Sequence, residues 1–198
     1  MGADARGTSS PCVHAGVSVS LCDERIMKNK NMSVKYNQSR SASRGVKVGD
    51  RAPDFTLPSL TGESVSLESF LGKKNIVLYF YPKDNTAGCT AEACSFRDSY
   101  EAFQEAGAEV IGISSDTEKS HQQFANQHRL PFILLSDLGG VVRKFYGVSA
   151  TFGLLPGRVT YIIDKQGIVR HIFSSQFAPQ MHVAEALKVL KEVSDENK

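Results

Sequence analysis

The stretch from Ile76 to Tyr81 contains six consecutive apolar and aromatic residues, and few folds accommodate such a run. A strand of this composition is buried on both faces, so helices must cover both sides of its sheet. Pro82 ends the strand, because proline has no N–H to donate to a neighbouring strand. The polar, turn-forming stretch from Lys83 to Gly88 follows. These residues predict a buried strand that leads into a short loop.

After the loop, the apolar residues adopt helical spacing. They recur every three or four positions, as on the buried face of a helix, at Ala93, Phe96, Tyr100 and Phe103. We expect this helix to end near Gly107 and to hold Cys89 in or near its first turn. The positive end of the helix dipole and the free backbone N–H groups stabilise a thiolate there, which is the nucleophilic form of cysteine. A small, buried structural cysteine is the alternative.

A second cysteine, Cys94, lies five residues after Cys89. In an intact helix their Cα atoms are roughly 8.6 Å apart, whereas a disulfide needs about 4.4–6.8 Å. The two thiols therefore bond only if the first turns of the helix unwind. This spacing suits a disulfide that forms and breaks during catalysis better than a permanent one. Thr86 is placed either to cap the helix or to donate a hydrogen bond to the sulfur of Cys89.

The rest of the domain alternates strands and helices. Thr61-Gly62 turns a small hairpin near the start of the domain, and Lys165 to Gly167 turns another near its end. Further strands are predicted at 109–114, 132–135, 159–164 and 168–174, and further helices at 117–128, at 141–146 and from 179 onwards. This order predicts a three-layer α/β fold with a sheet of mixed direction.

The segment Pro82-x3-Thr86-x2-Cys89 resembles the P-x3-T-x2-C motif of the peroxiredoxins. Cys94 lies where the bacterioferritin-comigratory, or peroxiredoxin Q, branch of that family has its resolving cysteine. The motif and the second cysteine together are a specific signal, because both their residue types and their spacing match. The loop departs from the family pattern at one position on each side of Thr86.

The two departures are Asn85 and Ala87, where the family usually has an acidic residue and a proline. Neither is an expected contact of the sulfur, so we expect them to affect the rigidity of the loop more than the chemistry. The similarity itself extends from about Val46 to Val193 and includes the segments 52–55, 155–158 and 176–177. It implies a thioredoxin-like α/β fold, in which helices flank a mixed central sheet and an N-terminal β-hairpin is added.

The resemblance implies a thiol-dependent peroxidase that reduces hydrogen peroxide and organic hydroperoxides in antioxidant defence. It assigns Cys89 as the peroxidatic cysteine, which is oxidised to a sulfenic acid, and Cys94 as the resolving cysteine, which closes an intramolecular disulfide. Thioredoxin is the implied reductant, and no cofactor is implied. Members of this branch are often monomers, so we expect a monomer.

The resemblance also implies roles for four other residues. Arg158 matches the active-site arginine of the family, and a permanent cation there stabilises the thiolate and holds the peroxide. Thr86 is expected to hydrogen-bond the sulfur or the peroxide, and Pro82 to shape the loop and shield the sulfur from water. Glu92 has two interpretations: an acidic residue in the first turn that favours the helix dipole, or a residue that shapes the active-site loop.

Two other functions fit parts of the sequence. One is a general dithiol–disulfide oxidoreductase of the thioredoxin type, but the C-x-x-C motif of that class is absent. The other is a redox-sensing or chaperone-like module that uses the same thiols without catalysis. Thr86 and Arg158 favour a peroxidase, because a sensor has no need of groups that activate a peroxide.

Composition argues against several further classes. The formal charge of +2 is too small to indicate nucleic-acid binding, and no stretch approaches the roughly 18–20 apolar residues of a membrane helix. The five histidines and four cysteines show no metal-ligand spacing, so we expect no metal site.

Residues 1–45 differ in composition from the predicted domain, residues 46–198. They are rich in serine, hold seven basic and three acidic residues, and include Cys12 and Cys22. Organelle transit peptides have this composition, and a disordered tail without a targeting role is the alternative. The resemblance favours a plastid as the destination, with the cytoplasm or another organelle as alternatives.

Overall fold

A computed structural model describes residues 45–150 and 157–196. Of the predicted leader, residues 1–45, only Gly45 falls within these ranges. The interpretation of the leader therefore concerns residues outside the described part of the chain, and Cys12 and Cys22 also lie outside it. Leu155 and Pro156 also lie outside it. All the described elements belong to one unit of the chain, Val34–Lys198.

The centre of the fold is a five-stranded sheet in the order β5-β4-β3-β6-β7. Its strands are β3 (Asn75–Phe80), β4 (Ala108–Ser114), β5 (Ile133–Ser136), β6 (Val159–Ile163) and β7 (Val169–Ser174). β3 pairs with β4 in parallel and with β6 antiparallel. The sheet is therefore of mixed direction, which confirms the predicted class.

Within residues 45–150 and 157–196, five helices and a hairpin accompany the sheet. The helices are α1 (Ala87–Asp98), α2 (Tyr100–Glu105), α3 (Glu118–His128), α4 (Val141–Tyr146) and α5 (Pro179–Glu196). The predicted N-terminal hairpin is confirmed as β1 (Thr56–Pro58) and β2 (Ser64–Ser66), which are antiparallel and lead into a short 3-10 helix, Leu67–Phe70. The helix predicted at 117–128 is confirmed as α3, and the Thr117 side chain caps it by accepting a hydrogen bond from the backbone N–H of Ser120.

The prediction of one helix from Cys89 to the region of Gly107 is wrong at one point. The structure breaks it between α1 and α2 at Ser99, whose φ of −105° and ψ of 7° are not helical. Serine hydrogen-bonds nearby backbone in non-helical conformations and so favours such breaks. On either side of the break, Phe96 and Phe103 are both fully buried, with ring centroids 5.7 Å apart.

The side chains of β3 divide between two hydrophobic cores. Val77 and Tyr79 pack on the side of α1, α3 and α5, whereas Ile76, Leu78 and Phe80 pack on the side of α4 and the hairpin. This division follows from the alternation of side chains along a strand. Full burial of such a side chain contributes about 1.5–3 kcal/mol. Burial of these side chains on both faces stabilises the position of β3 in the sheet, and with it the start of the loop that leads to Cys89.

Candidate active site

Cys89 is the third residue of α1, and only 2% of its surface is exposed. The first backbone hydrogen bond of the helix joins the N–H of Thr90 to the carbonyl of Thr86, at 2.8 Å. The N–H groups before Thr90 therefore have no acceptor within the helix, and they give partial positive charge to the helix end that carries Cys89. Cys94 is half-buried on the same intact helix, and both cysteines are free thiols.

Arg158 lies beside this sulfur. Its Nη2 donates a hydrogen bond to the Sγ of Cys89 at 3.4 Å, and the residue is buried. The topology explains the contact: the last residue of β3, Phe80, pairs with the first residue of β6, Val159. The loop that leads from β3 to Cys89 therefore begins next to Arg158, the residue that precedes β6. Gly88 assists the approach, since a Cβ at that position would lie 3.3 Å from Arg158 Nη2.

Glu92 is fully buried and accepts a hydrogen bond from Nη1 of Arg158. The interpretation of Glu92 as a first-turn acid is wrong, because α1 begins at Ala87 and has no acidic residue in its first turn. Burial raises the pKa of Glu92 to about 8, although the positive charge of Arg158 acts in the opposite direction. The carboxyl group is therefore largely protonated at neutral pH. A neutral Glu92 does not offset the positive charge that Arg158 places beside the sulfur of Cys89.

His182 of α5 lies behind Glu92, with its Nδ1 at 3.7 Å from Glu92 Oε1. Its Nε2 is 2.9 Å from the carbonyl of Ser175 and its Nδ1 is 2.7 Å from the hydroxyl of Thr160. Because a carbonyl only accepts, Nε2 carries a proton. Burial lowers the pKa of His182 to about 4, so the ring is neutral and its Nδ1 accepts from Thr160. No pattern in the sequence points to a role for His182 or Thr160 at this site.

The hydroxyl of Thr86 does not have the predicted partner. It donates to the backbone carbonyl of Lys83 at 3.1 Å and makes no cap bond to the helix, although Thr86 occupies the N-cap position. A hydroxyl has a single proton, so this bond prevents it from donating to the sulfur of Cys89 in this conformation. The residue is exposed, and its hydroxyl lies in the polar loop that precedes the helix.

Pro82 begins that loop, and a buried carboxylate holds the loop in place. Asp84 accepts hydrogen bonds from the hydroxyls of Tyr81 and Ser120, both at 2.7 Å, and contacts His121 Nδ1 at 3.0 Å. Burial raises the pKa of Asp84, but its hydrogen bonds and the charge of His121 outweigh burial and hold the pKa below its usual value. The sequence indicated Asp84 only as a turn residue.

Asn85 follows this anchor with a φ of 57°, in the left-handed region. Asparagine is one of the few residues with a side chain that adopt this conformation readily. The departure from the family pattern at Asn85 is therefore compatible with the loop conformation. The loop is fixed at Asp84, and its backbone turns immediately afterwards towards α1.

Comparison with known proteins yields one consistent result. Residues 48–172 match the AhpC/TSA family. The chain belongs to this family. The chloroplastic peroxiredoxin Q of Triticum aestivum is 54% identical over 158 residues, which are 77% of this chain and 72% of that protein. The chloroplastic peroxiredoxin Q of Arabidopsis thaliana is 56% identical over 147 residues, which are 74% and 68% of the two chains.

Solved structures agree with the sequence comparisons. The peroxidoxin BcpB of Mycobacterium tuberculosis is 38% identical with a TM-score of 0.70, over 75% of this chain and 98% of that one. A peroxiredoxin Q of Xanthomonas campestris is 29% identical with a TM-score of 0.63, over 69% and 89%. The predicted thioredoxin-like fold and the assignment to the peroxiredoxin Q branch are confirmed.

The AhpC/TSA membership makes this peroxiredoxin a thiol-dependent peroxidase. The chloroplastic relatives support the plastid location that the family resemblance favoured. Within the described ranges, the structure has no helix of the length and apolarity that a membrane span requires. The same residues contain no cluster of three or more His, Cys, Asp or Glu that would hold a metal ion.

Proposed function

We propose that this peroxiredoxin reduces hydroperoxides with Cys89 as the nucleophile, closes a Cys89–Cys94 disulfide, and is recycled by thioredoxin. The observation that carries the proposal is the contact between the guanidinium of Arg158 and the sulfur of Cys89, at 3.4 Å. It joins a nucleophile to a permanent cation at the N-terminus of a helix. Proteins use such surroundings to favour a thiolate.

The first step is an attack by the Cys89 thiolate on one oxygen of the peroxide. An S–O bond forms, the O–O bond breaks, and the second oxygen leaves with the electron pair and takes up a proton as an alcohol or as water. Arg158 and the backbone N–H groups at the start of α1 face the charge that develops on the departing oxygen. Donors placed where charge develops accelerate a reaction more than donors that bind only the substrate.

The second step is an attack by the Cys94 thiol on the sulfenic sulfur of Cys89. An S–S bond forms, the S–O bond breaks, and the oxygen leaves as water. Because both cysteines lie in α1, at a helical separation of roughly 8.6 Å between Cα atoms, the first turns of α1 must unwind for this step. A thioredoxin dithiol then reduces the disulfide and becomes oxidised itself. We propose that the enzyme works as a monomer, since both cysteines are on one chain.

Disulfide mapping tests this proposal directly. After treatment of the reduced protein with about one equivalent of hydrogen peroxide, we expect the mass to fall by two hydrogen atoms and a single peptide to contain Cys89 joined to Cys94. Thioredoxin with its reductase and NADPH should then restore the starting mass. Reduction of insulin by the protein serves as a control for general oxidoreductase activity. A disulfide between two chains, or one to another cysteine, would contradict the proposed cycle.

The high pKa of Glu92 gives a second prediction. Below pH 8 the carboxyl is protonated, whereas above pH 8 it becomes a carboxylate and partly neutralises Arg158. In Glu92→Gln the side chain still accepts the Arg158 hydrogen bond but cannot ionise. We therefore expect the peroxide rate constant of the wild type to fall relative to Glu92→Gln as pH rises through about 8, by up to about tenfold, or 1.4 kcal/mol.

The measurement is the second-order rate constant with hydrogen peroxide at a series of pH values, taken as the ratio of the two proteins. The ratio cancels effects that both proteins share, such as ionisation of the peroxide. His182 does not interfere, because its pKa of about 4 leaves it neutral throughout this range. Superimposable profiles would show that the ionisation of Glu92 does not affect the reaction of Cys89 with peroxide.

A further inference from the structure

Arg143 is a buried guanidinium that the proposed peroxidase chemistry does not use. It lies in α4, on the opposite side of the sheet from α1, and its backbone N–H donates to the buried carboxylate of Asp137 at 2.9 Å. A buried cation is costly unless hydrogen bonds satisfy it. The contacts of its side chain therefore indicate what it does in the fold.

The guanidinium of Arg143 joins two backbone carbonyls. Nη2 donates to the carbonyl of Tyr81 at 2.6 Å, and Nη1 donates to the carbonyl of Gly157 at 3.2 Å. The central carbon of the group lies 6.0 Å from the ring centroid of Phe80, which covers one side of it. Tyr81 immediately precedes Pro82, and Gly157 immediately precedes Arg158.

The two carbonyls lie where the pairing of β3 with β6 ends. The last pair of that ladder is Phe80 with Val159, and the same register would next place Tyr81 opposite Arg158. The ladder cannot continue past this point, because Pro82 has no N–H to donate. The planar fork of an arginine can donate two hydrogen bonds in fixed directions. Arg143 thus links the two chain segments where their own hydrogen bonds stop.

We propose that Arg143 is a positioning residue, which fixes the Cys89 loop and Arg158 relative to each other by bridging Tyr81 and Gly157. The inference rests on the proposed roles of Cys89 and Arg158. Without the bridge, the two segments are free to separate beyond Val159, and the contact of 3.4 Å between guanidinium and sulfur is no longer enforced. A displacement of about 1 Å at a reacting centre can cost about 10²-fold in rate.

The charges around Arg143 are consistent with this role. Burial lowers its pKa, while the negative charges of nearby carboxylates, that of Asp137 above all, act in the opposite direction. The group stays a cation at all accessible pH values, so its function does not depend on titration. The Nε of Arg143 is buried and has no hydrogen-bond partner in the described part of the chain. The bridge thus depends on the two terminal nitrogens.

The test uses the full chain with the substitutions Arg143→Lys and Arg143→Met. Lysine keeps the charge but not the fork, and methionine removes both. We expect both variants to lose about 10²-fold in the rate constant of Cys89 with hydrogen peroxide, and the pH profile of that reaction to move to higher pH. Arg51→Met is the matched control, because Arg51 also donates to a backbone carbonyl, that of Gln166 at 3.3 Å, but on the exposed surface.

A double-mutant cycle separates positioning from general destabilisation. Because Arg143 is inferred to act through Arg158, the double variant Arg143→Lys, Arg158→Met should react no more slowly than Arg158→Met alone. Additive losses, an Arg143→Lys variant with the wild-type rate, or a lower rate without movement of the pH profile would each overturn the inference. If Arg143→Met fails to fold, which circular dichroism would show, Arg143→Lys and the double-mutant cycle still test the positioning role of Arg143. A wild-type protein that does not react with peroxide would instead refute the proposed function.

Discussion

Cys89→Ser is expected to abolish peroxide reduction, with a fall of about 10⁴-fold or more in rate, the scale seen when an enzyme loses its nucleophile. A serine hydroxyl is a far weaker nucleophile than a thiolate near neutral pH, and it has no sulfenic acid state. The measurement is the consumption of hydrogen peroxide coupled to thioredoxin and NADPH. The fold should survive, because serine is close to cysteine in size and only one buried sulfur is replaced.

The matched control for this prediction is Cys94→Ser, since the same chemical change is made five residues further along the same helix. If the loss in Cys89→Ser came from damage to α1, both variants would lose their reaction with the first equivalent of peroxide. Retention of thioredoxin-coupled turnover in Cys89→Ser would refute the assignment of the nucleophile.

Cys94→Ser is expected to consume about one equivalent of peroxide per chain and then to stop. The Cys89 sulfenic acid still forms, but no neighbouring thiol is left to attack it, and thioredoxin has no disulfide to reduce. Turnover with thioredoxin should therefore be lost, while the fast first phase is retained. Mass spectrometry of the treated variant should show one added oxygen on Cys89, and further oxidation when peroxide is in excess.

A second comparison links the two cysteines to the helix that carries them. The oxidised wild type should have a less helical first part of α1 than the reduced protein, because the disulfide cannot form across an intact helix. Hydrogen exchange of residues 87–94 reports this change. Steady turnover of Cys94→Ser at the wild-type rate would show that another group resolves the sulfenic acid.

The elements of the fold were largely predictable from local patterns. The apolar run that forms β3, the hairpin around Thr61-Gly62 and the helix predicted at 117–128 depend on residues close together in the chain, and the structure confirms all three. The break at Ser99 was missed, because the apolar spacing runs on through it. A helix interrupted for one residue keeps nearly the same period, so periodicity does not reveal the interruption.

The residues that surround Cys89 were harder to predict from the sequence. Arg158 and Glu92 are 66 residues apart in sequence, and Arg158 was singled out only through the family resemblance. Glu92 has two interpretations from sequence, and only that of a first-turn acid is wrong, because Glu92 is a buried partner of that arginine with a pKa of about 8. Thr86 was expected to cap the helix or to contact the sulfur, but its hydroxyl donates to Lys83. Each error concerns the direction or partner of a side chain.

Sequence alone identified the strand, the loop, the two cysteines and their place on one helix, because these depend on neighbouring residues and on helical geometry. The tertiary structure supplied the surroundings of the sulfur: the antiparallel pairing of β3 with β6 brings Arg158 to Cys89, and α4 brings Arg143 to the end of that pairing. The physical reason is the distance along the chain over which each interaction acts. Backbone preference and apolar period act over a few residues, whereas a buried charge is balanced by groups that only the folded sheet brings together.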